Sequence, residues 1–148
     1  MNDADLILLD GTIALTDALD TPPISVTRDA TTGAAVIDLG AGGTPETGMF
    51  AVLYLPNNDT DADTVTAYIE AADHVDMTGT SADVERVGSF GVASATQGVI
   101  LGSETPVVAF VKFATRKRYV RLNLTVGAGD LAVSTAKCYL NPYAFPVL

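Results

Sequence analysis

The sequence predicts an all-β fold, an antiparallel, jelly-roll-like β-sandwich of about eight strands, and three observations carry that expectation. Alternation of apolar and polar residues with a period of two is the dominant pattern. Val, Thr and Ala recur throughout while Lys, Gln and Glu are scarce, a mixture that suits pleated strands and disfavours long surface helices. Clusters of Gly, Pro, Asn and Asp, such as Thr21-Pro22-Pro23, Gly40-Ala41-Gly42-Gly43 and Gly127-Ala128-Gly129-Asp130, punctuate the alternating runs. Short strands at that spacing describe a sandwich, a jelly roll or a small barrel. With 148 residues, 48% of them apolar, residues 1–148 make one domain able to bury a core without disulfides or metal.

Taken in order, short strands fit Leu6–Leu9, Ile24–Thr27 and Ala35–Leu39. Met49–Leu55 is apolar on both faces, which suits a central strand. In Thr64–Ala71, Val65, Ala67 and Ile69 oppose Thr64, Thr66, Tyr68 and Glu70. Further strands fit around Val84–Phe90 or Val99–Leu101, and Ser81–Val87 is the best candidate for a short helix. Val107–Ala114 places Val107, Ala109, Val111 and Phe113 on one face. In Arg118–Val126, the clearest strand, Val120, Leu122, Leu124 and Val126 face one way; Tyr119, Arg121, Asn123 and Thr125 face the other. A one-residue slip would expose the whole apolar set, so its register is strongly specified. The short link Thr115-Arg116-Lys117 is expected to join these last two runs as a hairpin. Leu131–Leu140 is a strand with Cys138 on the face of Ala136 and Leu140. Residues 141–148, apolar, aromatic and broken by Pro142 and Pro146, are expected to form an extended tail.

The net charge of −10 is unevenly spread. Residues 1–104 carry 17 acids and two bases, whereas residues 105–148 carry six bases and one acid. Such segregation bears on association between copies or with partners, because complementary fields steer encounter. Overall acidity argues against non-specific nucleic-acid binding, which depends on neutralising phosphates. No apolar run approaches the ~20 residues of a membrane helix, so no membrane role is expected. The first residues are acidic and no secretory signal is evident, so a reducing cytoplasm is the expected site of synthesis. Cys138 is the single cysteine, which leaves no internal disulfide and no Cys-rich zinc site.

No catalytic constellation emerges, and no cofactor is expected. His74, flanked by Asp73 and Asp76, is the single histidine, but no Gly-x-Ser-x-Gly elbow accompanies it. A Cys138–His74 pair is conceivable, yet Cys138 reads as a core filler. The acidic loop Asn57–Asp63 offers Asp59, Asp61 and Asp63 as oxygen ligands at alternate positions. It lacks the glycine and the glutamate of a calcium loop, so a solvated turn is the better reading and no metal is expected. Gly40, Gly42 and Gly43 follow a strand without the phosphate-loop spacing, and read as a flexible loop. The basic cluster Arg116, Lys117 and Arg118, with Arg121 on the polar face and Lys112 nearby, is expected to contact acidic groups of a partner without burying any charge. Its plainer role is guarding a strand edge. Tyr143, Phe145 and Leu148 of the tail complete the expected partner-binding set. With itself, the chain is expected to form a dimer, a trimer being the alternative.

A small acidic β-rich chain without a site, opening on Leu8-Leu9-Asp10-Gly11-Thr12 and closing on Tyr139-Leu140-Asn141-Pro142, resembles the capsid-decoration, or cement, proteins of tailed bacteriophages. The resemblance lies in length, strand pattern and terminal style across most of the chain. It implies a homo-oligomer on the exterior of the virion that bridges neighbouring major capsid subunits and resists genome pressure. It carries no catalytic residue. The alternative is a non-catalytic β-sandwich module that binds carbohydrate, in a phage tail or bacterial surface protein. With no Trp in the chain, Tyr54, Tyr68 and Tyr119 would have to form its stacking platform.

Overall fold

A computed structural model describes residues 6–12, 22–55, 64–77, 83–90, 92–93, 96–97, 99–101, 107–126 and 136–142. All its regular elements are strands: β1 (Ile7–Leu9), β2 (Ile37–Asp38), β3 (Met49–Leu55), β4 (Thr64–Ala72), β5 (Glu85–Ser89), β6 (Val92–Ala93), β7 (Thr96–Gln97), β8 (Val99–Leu101), β9 (Val107–Phe113), β10 (Tyr119–Val126) and β11 (Lys137–Asn141). They build an antiparallel sandwich. One sheet has the order β1-β11-β3-β9 and the other β2-β10-β4-β5, with β8 also pairing to β4 beyond the end of β5. β6 and β7 form a separate two-stranded ribbon.

Alternation explains the interior. Met49, Ala51, Leu53 and Leu55 of β3 meet Val65, Ala67, Ile69 and Ala71 of β4, together with Val120, Leu122 and Leu124 of β10, in one core. Cys138 and Leu140 of β11 join it alongside Ala136, as their shared face requires. Each buried Val, Leu, Ile or Met of this set contributes about 1.5–3 kcal/mol by leaving water, and each Ala less, and a register slip on any of these strands would turn its whole row outward.

The pairing is nested rather than sequential. β1 pairs with β11, β2 with β10, β3 with β9 and β4 with β5, so the second half of the chain returns along the first. This overturns the expected hairpin of Val107–Ala114 with Arg118–Val126. β9 belongs to one sheet and β10 to the other, and residues 114–118 are the crossover between them. Both runs are apolar on one face, and a sandwich can bury two such faces by stacking them across the core as well as by pairing them edge to edge.

Three further expectations change. Ile24–Thr27 is not a strand: residues 25–27 form bends, with Ile24 and Val26 exposed. The short helix at Ser81–Val87 does not form, since Glu85–Val87 extend along β4 as part of β5; residues 81–82 lie outside the described residues. Asn141, assigned to the tail, pairs with Phe50 as the last residue of β11. Residues 143–148 of the tail, residues 131–135 and the loop bearing Asp59, Asp61 and Asp63 lie outside the described residues.

Burial pushes the Cys138 thiol far above its ordinary range. The folded state therefore keeps a proton that the unfolded chain releases near pH 8.5. Stability is complete below that pH and falls as pH rises through the alkaline range, by about 1.4 kcal/mol per unit. Melting curves of wild type and Cys138→Ala measured from pH 7 to 10 should diverge, with wild type alone losing this increment above about pH 8.5. Parallel curves would show that the thiol ionises in the folded state.

Candidate interaction surface

The outer face of the four-stranded sheet is laid out by strand register. On β9 the outward row is Val108, Phe110 and Lys112, which stand opposite Tyr54, Val52 and Phe50 of β3. Across β3, the same three residues stand opposite Lys137, Tyr139 and Asn141 of β11. Ile7 of β1 extends the middle row beyond Tyr139. The face is thus a small grid whose centre row reads Phe110, Val52, Tyr139, Ile7, with a lysine at each of two diagonal corners. Val52 is buried, Phe50, Tyr54, Tyr139 and Ile7 are half-buried, and Val108 and Phe110 remain 60% and 66% exposed. Lys112 lies 5.9 Å from the centre of the Phe50 ring, within range of a cation–π contact.

Sequence reading missed this surface although its signal was present. Beside the inward row Val107, Ala109, Val111 and Phe113, two of the three outward residues of the same strand are also apolar. A strand apolar on both rows is either central or covered by something else. β9 ends its sheet.

The basic cluster is dispersed by the fold. Arg121 is buried on the outer face of the second sheet, directly opposite Glu70 in the β10–β4 register. Its Nε donates to Glu70 Oε2 at 2.9 Å, while Asn123 Nδ2 donates to Oε1 of the same carboxylate at 2.9 Å. The expectation that no charge would be buried is therefore corrected: cross-strand pairing places acid against base, and the pair is covered together. Arg121 also reaches the carbonyl of Pro23 at 3.4 Å, which ties that residue to this face.

Arg118 grips Asp38 with two hydrogen bonds, Nε to Oδ1 at 2.8 Å and Nη2 to Oδ2 at 2.7 Å. These bonds, helped by the Gly40 amide, hold the Asp38 carboxyl below its ordinary range and raise the Arg118 guanidinium. Lys117 Nζ donates to Asp73 at 2.8 Å, which lowers the Asp73 carboxyl and raises the Lys117 ammonium. Both pairs are exposed and worth little individually in stability, but they do neutralise these cations. Arg116 and Lys112 are left without a carboxylate among the described residues.

Arg116 stands on the crossover, beside a shallow open groove of about 760 Å³ that also carries Glu46, Glu85 and Lys117. The crossover is tied to the turn before β3. The Thr44 amide donates to the Thr115 carbonyl at 2.9 Å, and the Thr115 amide donates to Thr44 Oγ1 at 3.1 Å. Gly43 packs against the same carbonyl with φ +73°. Gly43 is accordingly fitted against the crossover, whereas Gly40 and Gly42 face open space.

The remaining candidates do not converge. Cys138 is fully buried in the core, while His74 is exposed beyond the end of β4. Among the described residues no group of three metal-ligating side chains comes together. The three tyrosines of the carbohydrate alternative are also separated. Tyr54 lies on the four-stranded face, Tyr68 lies on the opposite sheet under the Arg86 guanidinium at 3.4 Å, and Tyr119 packs against a satellite cluster of Val36, Ala72 and Met77. No family model matches this chain, and none of the curated proteins compared with it matches either.

Proposed function

We propose that this protein is a non-enzymatic assembly component that decorates and stabilises a bacteriophage capsid from outside, bridging neighbouring major capsid subunits. The observation that carries the assembly reading is the exposed apolar face centred on Phe110 and Val108, edged by Lys112 and Lys137 in a strongly acidic chain. Exposed apolar side chains contiguous with half-buried aromatics and rimmed by charge fit a protein partner better than a small ligand. The capsid as partner rests on the resemblance in length, strand pattern and termini. The nested pairing of β1 with β11, β2 with β10, β3 with β9 and β4 with β5 supports the jelly-roll reading, an architecture shared by viral capsid and lectin domains.

Sedimentation of the purified protein with expanded capsids that lack it tests the proposal. Co-sedimentation at saturable stoichiometry is the expected result; failure to pellet removes the capsid reading. The cations to alter are those of the basic cluster that no described carboxylate pairs. Lys112→Ser with Arg116→Ser should leave the melting curve unchanged and slow association with capsids several-fold at low salt. The difference should shrink toward 1 M salt as the Debye length falls to about 3 Å. An unchanged rate and salt dependence would show that neither cation steers binding.

A further inference from the structure

Among the described residues the two sheets present four edges, and three of them are protected. β1 is bulged and covered by residues 33–35, whose Ala35 amide donates to Leu8 O at 3.0 Å, while Arg28 donates to Ile7 O at 2.8 Å. β2 is two residues long, and the chain just before it is tied to Ser25 through the Val36 amide at 2.9 Å. The remaining edge is shared by β5, which opens on the exposed charges Glu85 and Arg86, and β8, which is three residues long. Short length, bulges, covering segments and charge are the devices that keep an edge from pairing.

β9 has only the last of them, in the single charge of Lys112. It reads Val-Val-Ala-Phe-Val-Lys-Phe, seven residues without proline, bulge or acid, and no described strand pairs with its outer edge. Its inward residues Val107, Ala109 and Val111 are still only half-buried, although Gly88 of β5 packs against Val111, so the core is incompletely covered along this edge. Partial exposure of the inward row and greater exposure of the outward one, together with a line of backbone groups that no described strand pairs, call for an added strand rather than a flat cover.

We propose that the occupant is β9 of a second copy, paired antiparallel about a two-fold axis at Phe110. That centre uses all seven residues. Phe110 meets Phe110, Ala109 meets Val111, Val107 meets Phe113, and Val108 meets Lys112. Inward residues oppose inward ones, so the two cores become continuous. The single charge on the strand falls opposite a valine, never its own copy, which avoids the like-charge pairing that a centre at Lys112 would impose. No acidic side chain lies on either strand, which matters for joining two chains of charge −10. The result is one eight-stranded sheet with a doubled apolar outer face. This deepens the assembly reading by naming the first partner, and it requires no capsid.

Disulfide trapping reads the register directly. In an antiparallel pair, residues directly opposite have Cα atoms about 4.5–5.5 Å apart, within disulfide range. Cys138 is buried and serves as a silent background. Under mild oxidation Phe110→Cys should give a reducible covalent dimer. Val108→Cys alone should not, because four residues of offset separate the two copies by about 13 Å. The Val108→Cys, Lys112→Cys double variant, which keeps Phe110, should again cross-link. By light scattering at micromolar concentration wild type should have twice the monomer mass. Phe110→Lys, which opposes two charges at an exposed position, should have the monomer mass and retain its β circular dichroism. A monomeric or trimeric wild type, a dimer that survives Phe110→Lys, or equal trapping by Val108→Cys alone would each overturn the pairing. A monomeric wild type whose capsid binding is lost in Phe110→Lys would assign the edge to a partner's strand instead, and overturn it equally. A trapped dimer that fails to sediment with capsids would leave this pairing intact and remove only the capsid.

Discussion

Glu70→Ala should destabilise the fold by about 3 kcal/mol, the low end of the range for breaking a buried ion pair. About a tenth of each side chain remains accessible, 11% for Glu70 and 10% for Arg121, which keeps the loss from being larger. The penalty comes less from the lost attraction than from what remains. Arg121 would keep its charge in a covered position with, among the described residues, only the distant Pro23 carbonyl at 3.4 Å, and Asn123 would lose its Glu70 acceptor. Replacing both partners by Met should cost much less than the two single losses together, because neither charge is then stranded. Urea unfolding of the two single variants and the double variant measures this as a coupling energy. Additive single losses would mean that the pair is effectively solvated. Arg121 is therefore a poor site at which to test partner binding, since its replacement lowers stability before it reports on any surface.

Gly43→Ala should cost at least about 3 kcal/mol. A Cβ at this position would lie 2.2 Å from the Thr115 carbonyl oxygen and 2.8 Å from the Arg116 backbone. Backbone cannot move aside as a side-chain tip can, so the turn and the crossover must separate, stretching the paired Thr44–Thr115 hydrogen bonds. Each such bond is worth roughly 1 kcal/mol, and the left-handed backbone adds about another 1 kcal/mol for any residue with a Cβ. Gly40→Ala is the matched control: its φ is +80°, close to the +73° of Gly43, yet a Cβ there meets nothing within 4 Å. It should show the conformational cost alone, about 1 kcal/mol. Equal losses at the two positions, measured by denaturant unfolding, would show that the crossover yields freely.

What the sequence determined by itself was the face of each strand. Alternation with a period of two assigns side chains to core or solvent without reference to any partner. Val120, Leu122 and Leu124, the even-numbered Cys138 and Leu140, and the odd row of β3 are accordingly inside as their spacing demands. The all-β sandwich follows from the same property summed over the chain. Which strands pair is a different question, and the local pattern is silent on it. β9 and β10 are consecutive, apolar on one face and separated by a short link, which describes a hairpin as well as a crossover between sheets. Only the nested return of the chain, which gives β9 to β3 and β10 to β2 and β4, decides between them.

The candidate surface divides along the same line. Lys112 and Arg116 were legible as cations, but their availability was not, because Asp38, Asp73 and Glu70 neutralise Arg118, Lys117 and Arg121 from positions 80, 44 and 51 residues away in sequence. Arg121 stood on the polar row as expected and is nonetheless buried, since register set Glu70 directly opposite. Val108 and Phe110 show the converse. Their outward direction was readable from alternation, yet their exposure depends on β9 standing at the end of its sheet, and edge or centre is a property of tertiary pairing alone.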